Sequence, residues 1–190
     1  MTALTEPRHR YTYGEYLAYE QDAAMKHEFV DGEILAMAGG SPRHSAIAMN
    51  VGVAIRLGRP AGCNVFQSDL KVRVLATGRA RYPDVSMICG PVELDPADPY
   101  RQTITNPTLL VEVLSPSTED VDRVSKRRDY QLIPSLREYV LVSQYERRVE
   151  VYRRQSSGGW DYIDVRDGIV KLATGPTLDL AQLYSDLPEE

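Results

Sequence analysis

A chain of 190 residues, 43% hydrophobic and 26% charged, holds enough apolar content for the core of a single globular domain, expected over 1–190 with 1–10 flexible. A net charge of −5 with a pI near 5.3 excludes a protein that holds nucleic acid through its overall field, though not one that takes nucleic acid as substrate. The terminus MTALTEPRHR carries no apolar leader and no run approaches the roughly 18 apolar residues of a membrane span, so a cytoplasmic protein without membrane contact is expected.

Tyr11 to Glu20 has tyrosines and Leu17 at helical spacing, with Thr12 as cap and Glu15 three residues on, which predicts a short helix. Asp31-Gly32 between two β-rich runs predicts a hairpin. Glu28 precedes that turn, either as an exposed strand acid or as a functional one. Ser41 and Pro42 cap a second helix over Arg43 to Leu57, with Ile47, Val51, Ala54 and Ile55 inward and His44 in its first turn, exposed or facing an anionic ligand. Alternation predicts a strand from Asn64 to Leu75 and another from Tyr82 to Cys89, with Asp84 at the mouth of the second, just after Pro83.

Cys63 and Cys89 are too few for a disulfide framework or a structural zinc site and are expected as free buried thiols, which disfavours a zinc enzyme. Gly90 to Asn106 lacks periodicity and reads as a long loop, a flap over substrate or mere decoration. Basic clusters at Lys71/Arg73, Arg79/Arg81, Arg123 to Arg128 and Arg147/Arg148 are expected first as solvated faces and only second as phosphate tracks.

Leu109 to Leu114 is apolar on both alternating faces, the pattern of a strand covered on two sides, and Glu112 interrupts it. A carboxylate there needs a cation, a metal or a raised pKa unless the strand end tips it into solvent. Pro116, Ser117 and Asp120 mark a turn into a helix from about Glu119 to Leu132. Val121, Val124 and Leu132 form one stripe of that helix and Asp122, Lys126, Tyr130 and Ile133 another, with the inward stripe unsettled because Arg128 falls in the first. If the second faces inward, the Lys126 ammonium hangs over Glu112; otherwise it is a solvated helix lysine. Val149 to Arg153, Trp160 to Val165 and Ile169 to Leu172 predict a C-terminal antiparallel meander, and Leu178 to Leu187 a short strand and helical turn.

Asp84 and Glu112, on neighbouring predicted strands, make a two-carboxylate magnesium site plausible, since that ion takes one or two carboxylates with water and phosphate. The segments HEFVDGEI at His27, Pro42 with His44, Pro83-Asp84-Val85, VEVLSPST at Val111, then Asp122, Lys126 and Tyr130, and EYVLV at Glu138 resemble the Uma family of restriction endonucleases, in the PD-(D/E)xK nuclease superfamily. The resemblance runs from about Tyr11 to Leu183. It implies an α/β restriction-endonuclease-like core, with a mixed central sheet flanked by helices, and hydrolysis of DNA dependent on Mg2+ or Mn2+. Carried over, Asp84 and Glu112 are the metal and catalytic acids, Glu28 a third acid at the metal, and His44 and Tyr130 substrate contacts. The superfamily's Glu-x-Lys lysine is replaced by Leu114, and Lys126 is the substitute. A homodimer is expected for cutting two strands. The alternatives are a nuclease-fold DNA-binding or regulatory module that has lost turnover, and a homodimeric interaction protein with a tyrosine-rich surface.

Overall fold

The structure, a computed structural model, describes residues 9–189; most of the expected flexible stretch 1–10 lies outside them. Thr12 closes a capping box with Glu15 and starts α1, Tyr13–Asp22. The predicted hairpin forms between β1, His27–Val30, and β2, Glu33–Ala36. Its turn puts Asp31 at φ 51° and Gly32 at φ 83°, the left-handed pair that such two-residue turns require. Ser41 accepts the His44 backbone N–H and Pro42 occupies the first turn of α2, Pro42–Gly58, so both start signals hold.

The predicted strand from Asn64 to Leu75 is two strands in different sheets. β3, Cys63–Gln67, ends in a turn closed by Leu70 N–H to the Gln67 carbonyl, and β4 runs Lys71–Val74. The alternation of the sequence continues through that turn, which hides it. Two more strands come next, β5, Arg79–Arg81, and β6, Val85–Cys89. The segment after β6 is no free loop: β7, Thr103–Ile104, pairs in parallel with β4, and the buried Asp98 carboxylate ties its backbone at Tyr100 and Gln102. β8, Leu109–Leu114, leads into a π-helical segment Val121–Lys126 and α3, Arg127–Gln131, then β9, Glu138–Ser143, β10, Val149–Arg154, and β11, Trp160–Val165.

Two large sheets form among the described residues: a five-stranded one in the order β2-β1-β5-β4-β7 and a six-stranded one in the order β11-β10-β9-β8-β6-β3, with β8 and β9 parallel and the other pairs of the latter antiparallel. The expected C-terminal meander splits. Only β10 and β11 extend the large sheet, while β12, Ile169–Lys171, pairs with β13, Thr177–Asp179, ahead of a last turn α4, Leu180–Leu183.

Both faces of the large sheet are covered, which is why β8 and β9 are buried at every position. Ile47, Val51 and Ile55 of α2 pack on Val111, Val113, Val140 and Val142 from one side. Tyr130, Ile133 and Leu136 pack on Leu110, Leu114 and Leu141 from the other. Glu112 alternates with Val111 and Val113 and shares the face of Leu110 and Leu114, so it points to the α3 side. That settles the helix stripe: Asp122, Lys126 and Tyr130 are buried, while Val121, Val124 and Leu132 are exposed.

The expected free thiols are instead a disulfide between Cys63 and Cys89, directly opposed on β3 and β6 with Cα atoms 4.0 Å apart. Directly paired antiparallel residues come closest at such positions, a proximity that sequence spacing does not reveal. The tyrosines divide between core and surface: Tyr16, Tyr130 and Tyr139 are buried, whereas Tyr11, Tyr19, Tyr100, Tyr145 and Tyr162 are exposed. Tyr130, Tyr139, Tyr152 and Tyr162 form a chain of ring contacts from core to surface, edge-on between Tyr130 and Tyr139, stacked between Tyr139 and Tyr152 and tilted between Tyr152 and Tyr162, and Tyr16 packs inside against Phe29.

Candidate active site

The site begins where β6 and β8 part. Their antiparallel ladder pairs Val85 with Val111 and goes no further, and one more step of that register sets Asp84 opposite Glu112. In place of another strand residue, Oδ2 of Asp84 accepts the Val113 backbone N–H at 2.7 Å. His44 Nε2 lies 3.0 Å from the Val113 carbonyl, which can only accept, so Nε2 carries a proton. It also lies 3.4 Å from Oδ2 of Asp84, and the hydrogen bond to that carboxylate, against the effect of burial, raises the imidazole's pKa. Two side chains thereby satisfy the edge of β8 that β6 abandons. Gly40 is required for this: a Cβ there would sit 2.7 Å from Nδ1 of His44.

Behind this pair lies a buried charge cluster. The Lys126 ammonium is 3.0 Å from Oε1 of Glu112, 2.9 Å from Oδ1 of Asp122 and 3.5 Å from Oε1 of Glu28. Burial alone would lower its pKa, but the three carboxylates outweigh that and hold it above the ordinary lysine value. Glu112 is 3% exposed, and its pKa rises because desolvation exceeds the attraction of Lys126, with Asp122, Asp84 and Glu28 adding repulsion. Asp122 rises for the same leading reason.

Among the sequence-predicted residues, the structure brings Glu28, Glu112, Lys126 and Tyr130 into this cluster and places Asp84 with His44 at the adjoining strand mouth. Tyr130 differs from its expected role: it is fully buried and donates its hydroxyl to Oε1 of Glu112 at 3.0 Å, so it orients that carboxylate and does not face a substrate. Glu28 is not a free third acid, since Arg81 Nη1 holds its Oε2 at 2.7 Å.

Sequence reasoning missed Arg81 and Asp129. The guanidinium of Arg81 is 1% exposed and spans Glu28, Asp129 and the Ser125 hydroxyl, while Arg79 bridges Asp129 and Asp31. The Arg79/Arg81 pair is therefore not a solvated face, and buried Lys71 is not one either. The only available signal was the placement of those arginines on the strand just before Asp84.

Fold and site together define an α/β protein of the restriction-endonuclease-like class, with acids gathered where two strands of a mixed sheet diverge. The chain belongs to the Uma2 family, whose model, described as "Putative restriction endonuclease", matches residues 13–183. Two proteins of Synechocystis sp. are similar: uncharacterized protein slr1290, 41% identical over 148 residues and covering 77% of this chain and 75% of its own, and uncharacterized protein sll1609, 34% identical over 151 residues with 78% and 84% covered. The crystal structure of an Anabaena variabilis protein, described as "a putative nuclease belonging to DUF820", shares the fold with a TM-score of 0.67 at 19% identity, covering 89% of this chain and 97% of that one.

Proposed function

We propose that this chain is a divalent-cation-dependent nuclease that hydrolyses phosphodiester bonds in DNA, with Asp84, Glu112 and Lys126 as its working groups. One observation carries the reading: the Lys126 ammonium lies 3.0 Å from Glu112, supplying from the following helix the cation that Leu114 cannot.

Among the described residues no trio of His, Cys, Asp or Glu forms a ready-made metal cage. Magnesium does not need one, because it commonly takes one or two carboxylates and completes its shell with waters and substrate phosphate. The donor set fits that demand. Asp84 commits Oδ2 to Val113, and Glu112 commits Oε1 to Tyr130 and Lys126. No hydrogen bond from the described residues reaches Oδ1 of Asp84 or Oε2 of Glu112. Asp84 and Glu112 would hold Mg2+ or Mn2+, which when bound supplies charge that polarises a phosphoryl oxygen and acidifies a water.

The protein's own contribution is positional and electrostatic. Tyr130 fixes the Glu112 carboxylate, and Val113 fixes that of Asp84. Lys126, held protonated by its carboxylates, acts as a fixed positive charge toward the developing phosphorane and not as a base. For duplex substrates two copies of the site are the simplest arrangement, so a homodimer accompanies this reading.

Hydrolysis of plasmid and oligonucleotide DNA with added Mg2+ or Mn2+, against an EDTA control, tests it. Glu112→Gln and Asp84→Asn should each lower the rate by about a hundredfold or more while leaving the circular dichroism spectrum unchanged. Wild-type protein no faster than Glu112→Gln on every DNA form would remove the reading. Salt-sensitive DNA binding unchanged by Asp84→Asn would then favour the binding module that Leu114 suggests.

A further inference from the structure

β10 and β11 carry an aromatic and basic strip on the side of the large sheet that α3 covers. Tyr152 opposes Tyr139, which opposes Leu110, so these side chains share the face of Glu112. Arg154 follows two residues on and pairs across the ladder with Trp160. The Arg127 guanidinium lies 5.0 Å from the centre of the Tyr152 ring, and that of Arg154 lies 4.5 Å from the Trp160 ring. Such cation–π contacts hold a guanidinium in place without neutralising it. Arg128, the next residue of α3, and Arg137, whose carbonyl accepts the Arg154 N–H, are exposed beside them.

The charges of this strip are unanswered. At the Val149 end of the hairpin Arg123 meets Glu119 and Glu150, and Arg148 meets Glu150 and Asp164. At the Arg154 end no carboxylate among the described residues forms a salt bridge with Arg127, Arg128, Arg137 or Arg154. Arg154 donates to the Gln131, Ile133 and Leu136 carbonyls, and burial followed by the neighbouring Arg137 charge lowers its pKa. Nε of Arg127 is buried without an acceptor. In a chain of net charge −5, four arginines grouped without acids reverse the field locally and suit an anion.

The rings say which anion. Tyr152 already has Arg127 against it, with Tyr139 and Tyr162 at 6.3 and 5.2 Å, and Trp160 has Arg154, so neither ring is a free platform for unpaired bases. Guanidinium edges remain, and their fork matches phosphate oxygens. Leu141 pairs with both Glu112 and Glu150, so Tyr152 lies two strands and two residues from Glu112, on the order of 12 Å between Cα atoms. At about 3.4 Å per base pair, that is about three or four base pairs along a duplex.

We propose that Arg127, Arg128, Arg137 and Arg154 form a track for the phosphodiester backbone of duplex DNA, a few base pairs from the phosphate presented to Glu112, and that they grip it without reading sequence. The proposal rests on the nuclease reading only for the choice of DNA among polyanions. An acidic protein surface, including a second copy of this acidic chain, is the competing occupant. Guanidinium groups held by rings favour a rigid line of phosphates over carboxylates on flexible stems.

The test is fluorescence anisotropy with labelled duplexes of unrelated sequence over a range of salt, in EDTA so that binding is read without cleavage, together with sedimentation of the free protein. Arg128→Gln/Arg137→Gln removes the two exposed cations and keeps the two held by rings. It should flatten the slope of log affinity against log salt by about two and weaken binding by about tenfold or more at physiological salt, equally for every sequence and with an unchanged melting temperature. Arg56→Gln/Arg147→Gln removes two exposed arginines elsewhere and should leave the slope nearly unchanged. Equal flattening in both double variants, a loss confined to one sequence, displacement of the duplex by polyglutamate of matched charge, or a wild-type dimer that Arg128→Gln/Arg137→Gln dissolves would overturn the proposal. Duplex binding that depends on Arg128 and Arg137, with no hydrolysis under Mg2+, would instead sink the nuclease reading and leave the track standing.

Discussion

His44 shows how a single ring links local backbone to the site. Its Nε2 proton serves the Val113 carbonyl, and the same edge faces the Asp84 carboxylate, so protonation of the ring is favoured by the hydrogen bond to Asp84 more than burial opposes it. With the folded pKa above the ordinary 6.5, the pair's contribution to stability is complete below 6.5 and is lost as pH rises through the folded value. An NMR titration of the His44 ring should therefore give a midpoint above 6.5 in the wild type, falling to that value or below it in Asp84→Asn. Gly40→Ala should lower the midpoint as well, because its Cβ would push Nδ1 away from a 2.7 Å approach. A midpoint indifferent to Asp84→Asn would refute the pairing. The first-turn position of His44 was legible from Ser41 and Pro42, but its partner was not: Val113 is 69 residues away, and only the end of the β6–β8 ladder brings the two together.

At the level of elements, local signals were read where the local chain decides the outcome. Thr12 with Glu15, Asp31-Gly32, Ser41-Pro42 and Pro83-Asp84 each act over a few residues, and each sits where those signals put it. The helix after β8 resisted because two faces competed and hydrophobicity favoured the wrong one. Val121, Val124 and Leu132 are 41%, 46% and 52% exposed, whereas Asp122 and Lys126 turn inward because Glu112 waits there. The π-helical geometry of Val121–Lys126 belongs to the same conflict between local preference and site, a frequent mark of functional segments. The β3–β6 pair was likewise read as two strands without its crosslink. Closing a loop of 26 residues in the unfolded chain predicts that the Cys63–Cys89 bond stabilises the fold by about 3.5 kcal/mol. Urea unfolding with and without dithiothreitol should show a loss of that order; identical midpoints with both thiols free under reduction would mean the crosslink adds nothing.

Across the whole molecule the two sheets meet at one buried cluster of charge. β1 brings Glu28, β5 brings Arg81, β8 brings Glu112 and the helical segment after it brings Asp122, Lys126 and Asp129. The acids most remote in sequence are joined by Arg81, whose Nη1 binds Glu28 at 2.7 Å while Nε and Nη2 bind Asp129 at 3.2 and 2.9 Å. Such a planar fork reaches two carboxylates at once, and a lysine's single ammonium does not. Removing it leaves Glu28 with only the Lys126 ammonium at 3.5 Å and Asp129 with only Arg79, in a site closed to water, and breaking a buried pair in this way costs about 3–5 kcal/mol. Arg81→Met should therefore destabilise the protein by about that much in urea unfolding at neutral pH, and Arg81→Lys should recover only part of it. Because the pairs are buried, added salt should barely change the loss. The deficit should shrink on acidification, since protonating Glu28 and Asp129 removes the buried negative charge that Arg81 no longer neutralises. A deficit that vanished in high salt would place Arg81 at the surface and break the link between the sheets. No stretch of sequence announces that link, because it depends on β1 lying beside β5 through the single pairing of Phe29 with Ala80, and such non-local contacts leave no periodic trace.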